Sequence, residues 1–390
     1  MTSTRLNKKI KSFVGQNGRS QSVTSIARSL GKLSLRWLDR NYSFRKKARQ
    51  KLVKSSHFTG PMADQLLDSL FQELTQAKLL KLLKAELGDP KVLDGFRRDK
   101  LAGRSQTARG PKVITHIFSG NIPNPAVMSF VLGMLVKSVN IGKTSSKDEG
   151  ILNIYLESLK TINKNLAKTN SLIDPADRKL LIASMESSDL VIAYGDEESL
   201  KKIRPHVPVT TPFVGYGHRV SFGIYTKEAL SAKNIEVFAR KTAHDIWISD
   251  QRGCLSPIEV FVEAGGSISA VEFSNALSQA LGKLFVMKMW RMPDRSGSAQ
   301  VIGFGGKKVV AVRSVKDFYK LLVPFQKYLQ AVSLETGKDS KKRVRIAEEL
   351  SRLGVNRVCR AGRMQFPPVT WHHDGKWNLA SWVNWTDLEG

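Results

Sequence analysis

The sequence predicts an α/β fold: an open, mostly parallel sheet carrying helices on its faces. Three observations lead there. From residue 112 onward, short apolar runs alternate with amphipathic ones, the strand–helix–strand order of parallel sheets. Two of the apolar runs end at glycines, Gly120 and Gly195, as strands that hand over to tight turns often do. The chain is 390 residues long, more than one hydrophobic core usually organises, so two domains are expected.

The elements follow in order. Residues 1–60 read as polar and weakly structured, with one helix over 23–43. A single long helix is predicted over 62–88, because Leu66, Leu67, Leu70, Phe71 and Leu74 fall at helical spacing and Gly88 suits the C-cap. "LAGRSQTARGPK", residues 101–112, reads as a loop and a domain boundary. Strands are predicted over 112–120, 138–143, 188–195 and 218–226. Helices are predicted over 124–137, 150–167, 175–187 and 196–203. A helix over 235–249 leads into a bend and then into "IEVFVE". That run could begin a helix from a Ser256–Glu259 capping box, but its alternation of Ile258, Val260 and Val262 favours a strand. Ser269 and Glu272 form a better capping box ahead of a helix over 270–285. A hairpin-like stretch over 299–314 and a helix over 315–332 complete the reading.

The formal charge is +28, and residues 1–55 hold fifteen Lys or Arg against one acid, Asp39. A segment of that charge suits an acidic partner, nucleic acid or an anionic membrane surface. It equally suits a solvated basic tail. No run is long and apolar enough for a membrane span, and without an apolar h-region in the first thirty residues no secretory signal is expected. Those residues are Ser-, Lys- and Arg-rich and free of Asp and Glu, which also suits an organellar transit peptide. With two cysteines, Cys254 and Cys359, a disulfide scaffold is not expected, and a cytoplasmic setting is the default. The cysteines have no metal-ligand spacing, so no metal is expected.

"DQRGCLSP", residues 250–257, puts Cys254 on a connection between a helix and a strand. A thiol there can be reached, and Arg252 or a helix N-terminus opposite would lower its pKa. The bland alternative is a small buried residue at a turn. Cys359 reads as part of a strand. None of the seven histidines sits at a spacing that implies a Cys–His pair.

"THIFSGNIPNP", "KSVNIGKTSS", "DLVIAYGDEESL", "GYGHRVSF", "DQRGCLSPIEVFVE" and the tail "GRMQFPPVTWHHDGKWNLASWVNWTDLE" together resemble the LuxC-like acyl-CoA reductases of the aldehyde dehydrogenase superfamily, from about residue 110 to the end. The resemblance implies an aldehyde-dehydrogenase-like α/β fold. A basic N-terminal extension and helical segment would occupy 1–108 and a Rossmann-like dinucleotide-binding domain 109–230. A catalytic domain with the nucleophile would span 231–365, and a tail 366–390. It implies reduction of a long-chain fatty acyl thioester, from CoA or from an acyl-protein, to the fatty aldehyde. Cys254 would carry the acyl group, and Asn121 would donate to the developing oxyanion. Lys143, Ser145 and Ser146 would face the adenosine ribose. Relatives that prefer NAD carry a glutamate where Ser146 stands, so NADPH is the implied cofactor. Gly195 would let backbone approach the dinucleotide.

"GYGHRVSFGIY" lacks the carboxylate with which aldehyde-oxidising relatives activate water, which fits reduction rather than hydrolysis. His218 in that stretch is a possible proton donor or a structural histidine. An acyl-transfer partner protein and a homo-oligomer are further implications. Two other readings stay open: a cofactor-independent acyltransferase or thioesterase using the same cysteine, and a polyanion-binding protein driven by the basic N-terminus.

Overall fold

A computed structural model describes residues 21–55, 58–120, 122–145, 150–249, 253–284 and 308–390. The chain divides into two compact units. The first runs to Gly217 and includes 368–370 and 376–390; the second holds 218–367 and 371–375. The strands are β1 (Arg97–Asp99), β2 (Arg104–Arg109), β3 (Val113–Ile117), β4 (Val139–Lys143), β5 (Asn170–Ile173), β6 (Leu190–Tyr194), β7 (Phe213–Tyr216), β8 (Val220–Tyr225), β9 (Pro257–Glu263), β10 (Lys308–Val312), β11 (Leu329–Glu335), β12 (Arg357–Cys359) and β13 (Asn384–Leu388).

Among the described residues, the first unit carries a parallel sheet in the order β5-β4-β3-β6-β7. β3 is buried along its whole length, as a strand covered on both faces must be. Its interior is not wholly apolar. Buried His116 meets Ser129 Oγ through Nδ1 at 2.8 Å and Asn140 Oδ1 through Nε2 at 3.0 Å. Asn140 Nδ2 in turn donates to Asn170 Oδ1 at 3.0 Å. This chain of polar partners crosses β3, β4 and β5 and satisfies groups that would be costly to bury alone.

The N-terminal region is more ordered than its composition suggests. A helix over Val23–Leu38, capped by Ser22, buries Val23, Ile26, Ala27, Leu30, Leu33 and Trp37. Trp37 stacks on Phe71 at 4.5 Å, and its Nε1 donates to Ser158 Oγ at 2.9 Å. A second helix, Ser43–Lys54, buries Arg45, which donates to the Trp37 carbonyl at 2.8 Å and to Asp68 at 2.6 Å. The helix expected over 23–43 is present as Val23–Leu38, and a second helix joins it, so part of the basic segment is built into a core.

Three further expectations change. The long helix over 62–88 is two, Gly60–Glu73 and Gln76–Leu87. Thr75 turns extended between them (ψ 152°), at the point where Gln76 meets the backbone of Gly31 so closely that a Cβ there would lie 2.4 Å from its nitrogen. The loop over 101–112 contains β2, which pairs antiparallel with β1 and with β13 from the far end of the chain. The short strands β5 and β7 carry little local signal and form because β4 and β6 offer open edges.

The second unit carries a parallel sheet in the order β10-β9-β8-β11-β12. Alternating side chains feed two cores. Tyr225, Val260 and Val262 face Phe273 and Leu277; Phe222, Ile224 and Phe261 face Phe318 and Leu350. The helix from Ala270 starts at the Ser269–Glu272 capping box, with reciprocal bonds of 3.2 and 2.7 Å. "IEVFVE" is strand, not helix.

The helix expected over 315–332 stops at Leu322, passes through a 3-10 turn containing Pro324, and becomes β11. Every residue of β11 is buried between β8 and β12, so sheet burial overrides helical spacing. Of the hairpin-like stretch, 299–307 lies outside the described residues. The described arm, β10, pairs parallel with β9. No helix among the described residues is long and apolar enough to cross a membrane.

Candidate active site

Cys254 lies in the turn before β9, partly exposed, at the amino edge of the second unit's sheet. In open parallel sheets ligands usually sit at the carboxyl ends of the strands. Here the nucleophile candidate, Arg219 before β8 and Gln330 at the start of β11 all meet at the opposite edge. The turn is firmly held. Ser256 N–H donates to the Gly253 carbonyl at 3.0 Å. The Ser221 hydroxyl donates to the Cys254 carbonyl at 2.6 Å while accepting from Ala331 N–H at 3.2 Å. Behind it, buried Asp245 accepts from the N–H groups of Gly362 and Met364 at 2.6 and 3.0 Å. Gln365 Nε2 donates to the Asp245 carbonyl and to Ser256 Oγ at 2.9 and 2.8 Å. Despite those donors, burial pushes the Asp245 carboxyl up to about 7.

The sulfur has a polar neighbourhood that its local sequence does not reveal. Gln330 Nε2 stands 3.8 Å from Cys254 Sγ and donates to Asp374 Oδ1 at 2.8 Å. Gln330 Oε1 accepts from Asn356 Nδ2 at 3.1 Å. Asp374 Oδ2 accepts from Arg219 Nε at 3.0 Å, and Arg219 also donates to the Lys327 carbonyl at 2.8 Å. His373 Nε2 lies 3.6 Å from Asp374 Oδ1.

Asp374 itself sits in the left-handed backbone region (φ 54°), in a turn closed by Gly375 N–H to the His372 carbonyl at 3.1 Å. Gly375 (φ 75°) is required there, since a Cβ would come 2.6 Å from Asn356 Oδ1. A non-glycine residue held at positive φ stores strain, which here is offset by the two bonds to its carboxylate.

Burial and then the Asp374 charge push the Cys254 thiol up to about 11, while Gln330 and Arg219 pull it down. This corrects the expectation of a lowered thiol pKa. Arg252, on which that expectation leaned, lies outside the described residues. It also qualifies the missing carboxylate. "GYGHRVSFGIY" contributes none, but the tail contributes Asp374, with both oxygens engaged. His218 is exposed and is not a member of this cluster. Cys359 lies on β12 opposite Ser333.

In the first unit, Lys143, Ser145 and Gly195 lie along the carboxyl edge of its sheet. Lys143 ends β4, Ser145 follows it, and Gly195 follows β6. Gly195 N–H donates to the Tyr216 carbonyl at 3.1 Å, and a Cβ there would come 3.0 Å from Ser199 Cβ. Phe118, Tyr194 and Tyr216 stack along the same edge, at 5.5 and 4.6 Å. Asn121 and Ser146 lie outside the described residues. A cavity of about 630 Å³, lined by Pro111, Asp189, Leu190, Pro212 and Trp382, opens at the amino edge of this sheet, the wrong end for these residues.

Two α/β units with parallel sheets, the second carrying a cysteine on a turn ahead of a strand, make an aldehyde-dehydrogenase-like fold. The likeness extends to solved structures such as the NADP+ complex of succinic semialdehyde dehydrogenase from Streptococcus pyogenes. That match has a TM-score of 0.69 and 11% identity, over 99% of this chain and 93% of that one. A model of the LuxC acyl-CoA reductase family matches residues 19–302 and 307–385, so the chain belongs to that family. The match begins well before residue 110, where the resemblance had been placed.

Among its relatives is the long-chain acyl-protein thioester reductase of Aliivibrio fischeri, 25% identical over 90% of this chain and 79% of that protein. The one from Photorhabdus laumondii is 24% identical over 65% of this chain. That match spans 53%, about half, of the relative's length.

Proposed function

We propose that the protein reduces long-chain fatty acyl thioesters, presented by an acyl-protein or by CoA, to fatty aldehydes, using NADPH and a covalent acyl-Cys254 intermediate. The observation that carries this reading is Cys254: partly exposed, on a pinned turn, with a side-chain amide directed at its sulfur. The names of the relatives favour an acyl-protein donor.

Cys254 gives up its proton and attacks the thioester carbonyl, and the carrier thiol leaves as the acyl group passes to sulfur. Asn121 and the backbone N–H of Cys254 donate to the oxyanion, a contribution of roughly 3–4 kcal/mol to the barrier. The dinucleotide, when bound, supplies hydride to the acyl carbon. Cys254 then leaves as thiolate and releases the aldehyde. Asp374 is held by Arg219 and Gln330, so it does not serve as a free base for water, and the acyl-enzyme outlives hydrolysis.

The carboxyl edge of the first sheet fits a dinucleotide. Lys143 supplies a cation there, and Gly195 gives a tight backbone turn packed on Ser199 at the same edge. Lys143, Ser145 and Ser146, with no glutamate among them, suit the 2′-phosphate of NADPH.

The test is turnover. Purified protein with a long-chain acyl-CoA should consume NADPH faster than NADH and yield aldehyde, and Cys254→Ala should abolish both. Undiminished turnover by the alanine variant overturns the proposal. Thioester loss without any dinucleotide would favour the transferase or thioesterase reading.

A further inference from the structure

The nucleophile's immediate partners come from elements far away in sequence, and their donor and acceptor pattern is fully determined. Gln330 is wholly buried. Its oxygen accepts from Asn356, and Asn356 N–H also donates to the Gln330 backbone carbonyl at 3.0 Å, so the amide cannot flip without losing a buried partner. One Nε2 hydrogen goes to Asp374 Oδ1, and the other is left for Cys254 Sγ. Among the described residues the charged or titratable groups facing the sulfur are Asp374, Arg219 and, behind Asp374, His373.

Resting on the reading of Cys254 as the nucleophile, we propose that Gln330 and Asp374 form an opposed pair that sets its ionisation. Gln330 is a catalytic donor to the thiolate. Asp374 is a positioning residue that aims Gln330 and, through its charge, adds to burial in keeping the resting sulfur protonated. Arg219 moderates that charge through its bond to Asp374 Oδ2. The strained backbone at Asp374 is the cost of placing a carboxylate at this spot. The upward push on the thiol by Asp374, and the downward pull by Gln330, agree in sign with these roles.

The test reads the sulfur alone, without acyl donor or dinucleotide, so it separates this inference from the reductase reading. The full chain is treated with iodoacetamide between pH 7 and 10, and the rate at Cys254 is followed by peptide mass, with Cys359 in the same molecule as internal reference. In the wild type the Cys254 rate should climb about tenfold per pH unit up to pH 9, without the plateau of an ordinary thiol. Gln330→Leu should slow Cys254 about fivefold or more at pH 8, and Gln330→Glu more still. Asp374→Asn should speed it about tenfold.

The opposite signs are the signature. Changes in the same direction, no change, or shifts that Cys359 shares overturn the proposal. If alkylation follows the predicted pattern while no reductase activity is found, the ionisation pair stands and the reductase reading falls.

Discussion

His116 carries no charge at neutral pH. Burial lowers its pKa from 6.5 to about 3, with the bond to Asn140 opposing that shift only in part. Because the folded value lies below the unfolded one, the unfolded chain takes up this proton first. The stability linked to His116 is complete above pH 6.5 and is lost as pH falls towards 3, up to about 5 kcal/mol. Urea unfolding followed at pH 7 and pH 5 should show a clear drop in midpoint, and His116→Gln should remove most of that pH dependence. An unchanged midpoint between the two pH values would contradict the assignment.

The same scale shows what one sequence can and cannot reveal about the site. Cys254 stood out locally, between a glycine and a strand pattern. Gln330, 76 positions away, looked like one face of a helix, and Asp374 was one polar residue in a polar tail. Neither has a local pattern that marks it, because the relation between them exists only after β11 and the tail turn are brought to the same sheet edge.

Elements were legible where their own periodicity decided them. β3, β4, β6, β8 and β9 are apolar or alternating runs bounded by turns, and the helices at Ile235–Trp247 and Ala270–Leu284 carry a clear apolar face. The failures share a cause. β2 is polar and finds its partner in β13, and β11 is a helix-like sequence captured by a sheet.

Packing between elements supplies a further prediction. Gly133, in the helix Asn124–Leu135, faces the carboxamide of Asn140 on β4; a Cβ there would lie 1.9 Å from Oδ1. Alanine is the better helix former by roughly 0.5–1 kcal/mol, but here it would displace the group that holds His116. Gly133→Ala should therefore destabilise by about 1–3 kcal/mol. Thermal unfolding measures it, and a raised Tm would show that the helix and strand are less tightly apposed.

At the scale of the whole chain, family membership meets a fold of two α/β units, the second of which holds a partly buried Cys254 on a pinned turn. The parallel α/β architecture could be read from strand–helix alternation. The chemistry came from resemblance, since neither composition nor charge points to thioester reduction. The +28 charge suggested polyanions, yet Arg45, one of the basic residues behind that idea, is buried in an ion pair with Asp68.

The most direct test is the intact mass of the full-length protein after brief incubation with a long-chain acyl-CoA and no reductant. The mass should rise by one acyl group, with the adduct mapping to Cys254 and disappearing when NADPH is added. An unmodified protein, or an adduct that survives Cys254→Ala, would contradict the account.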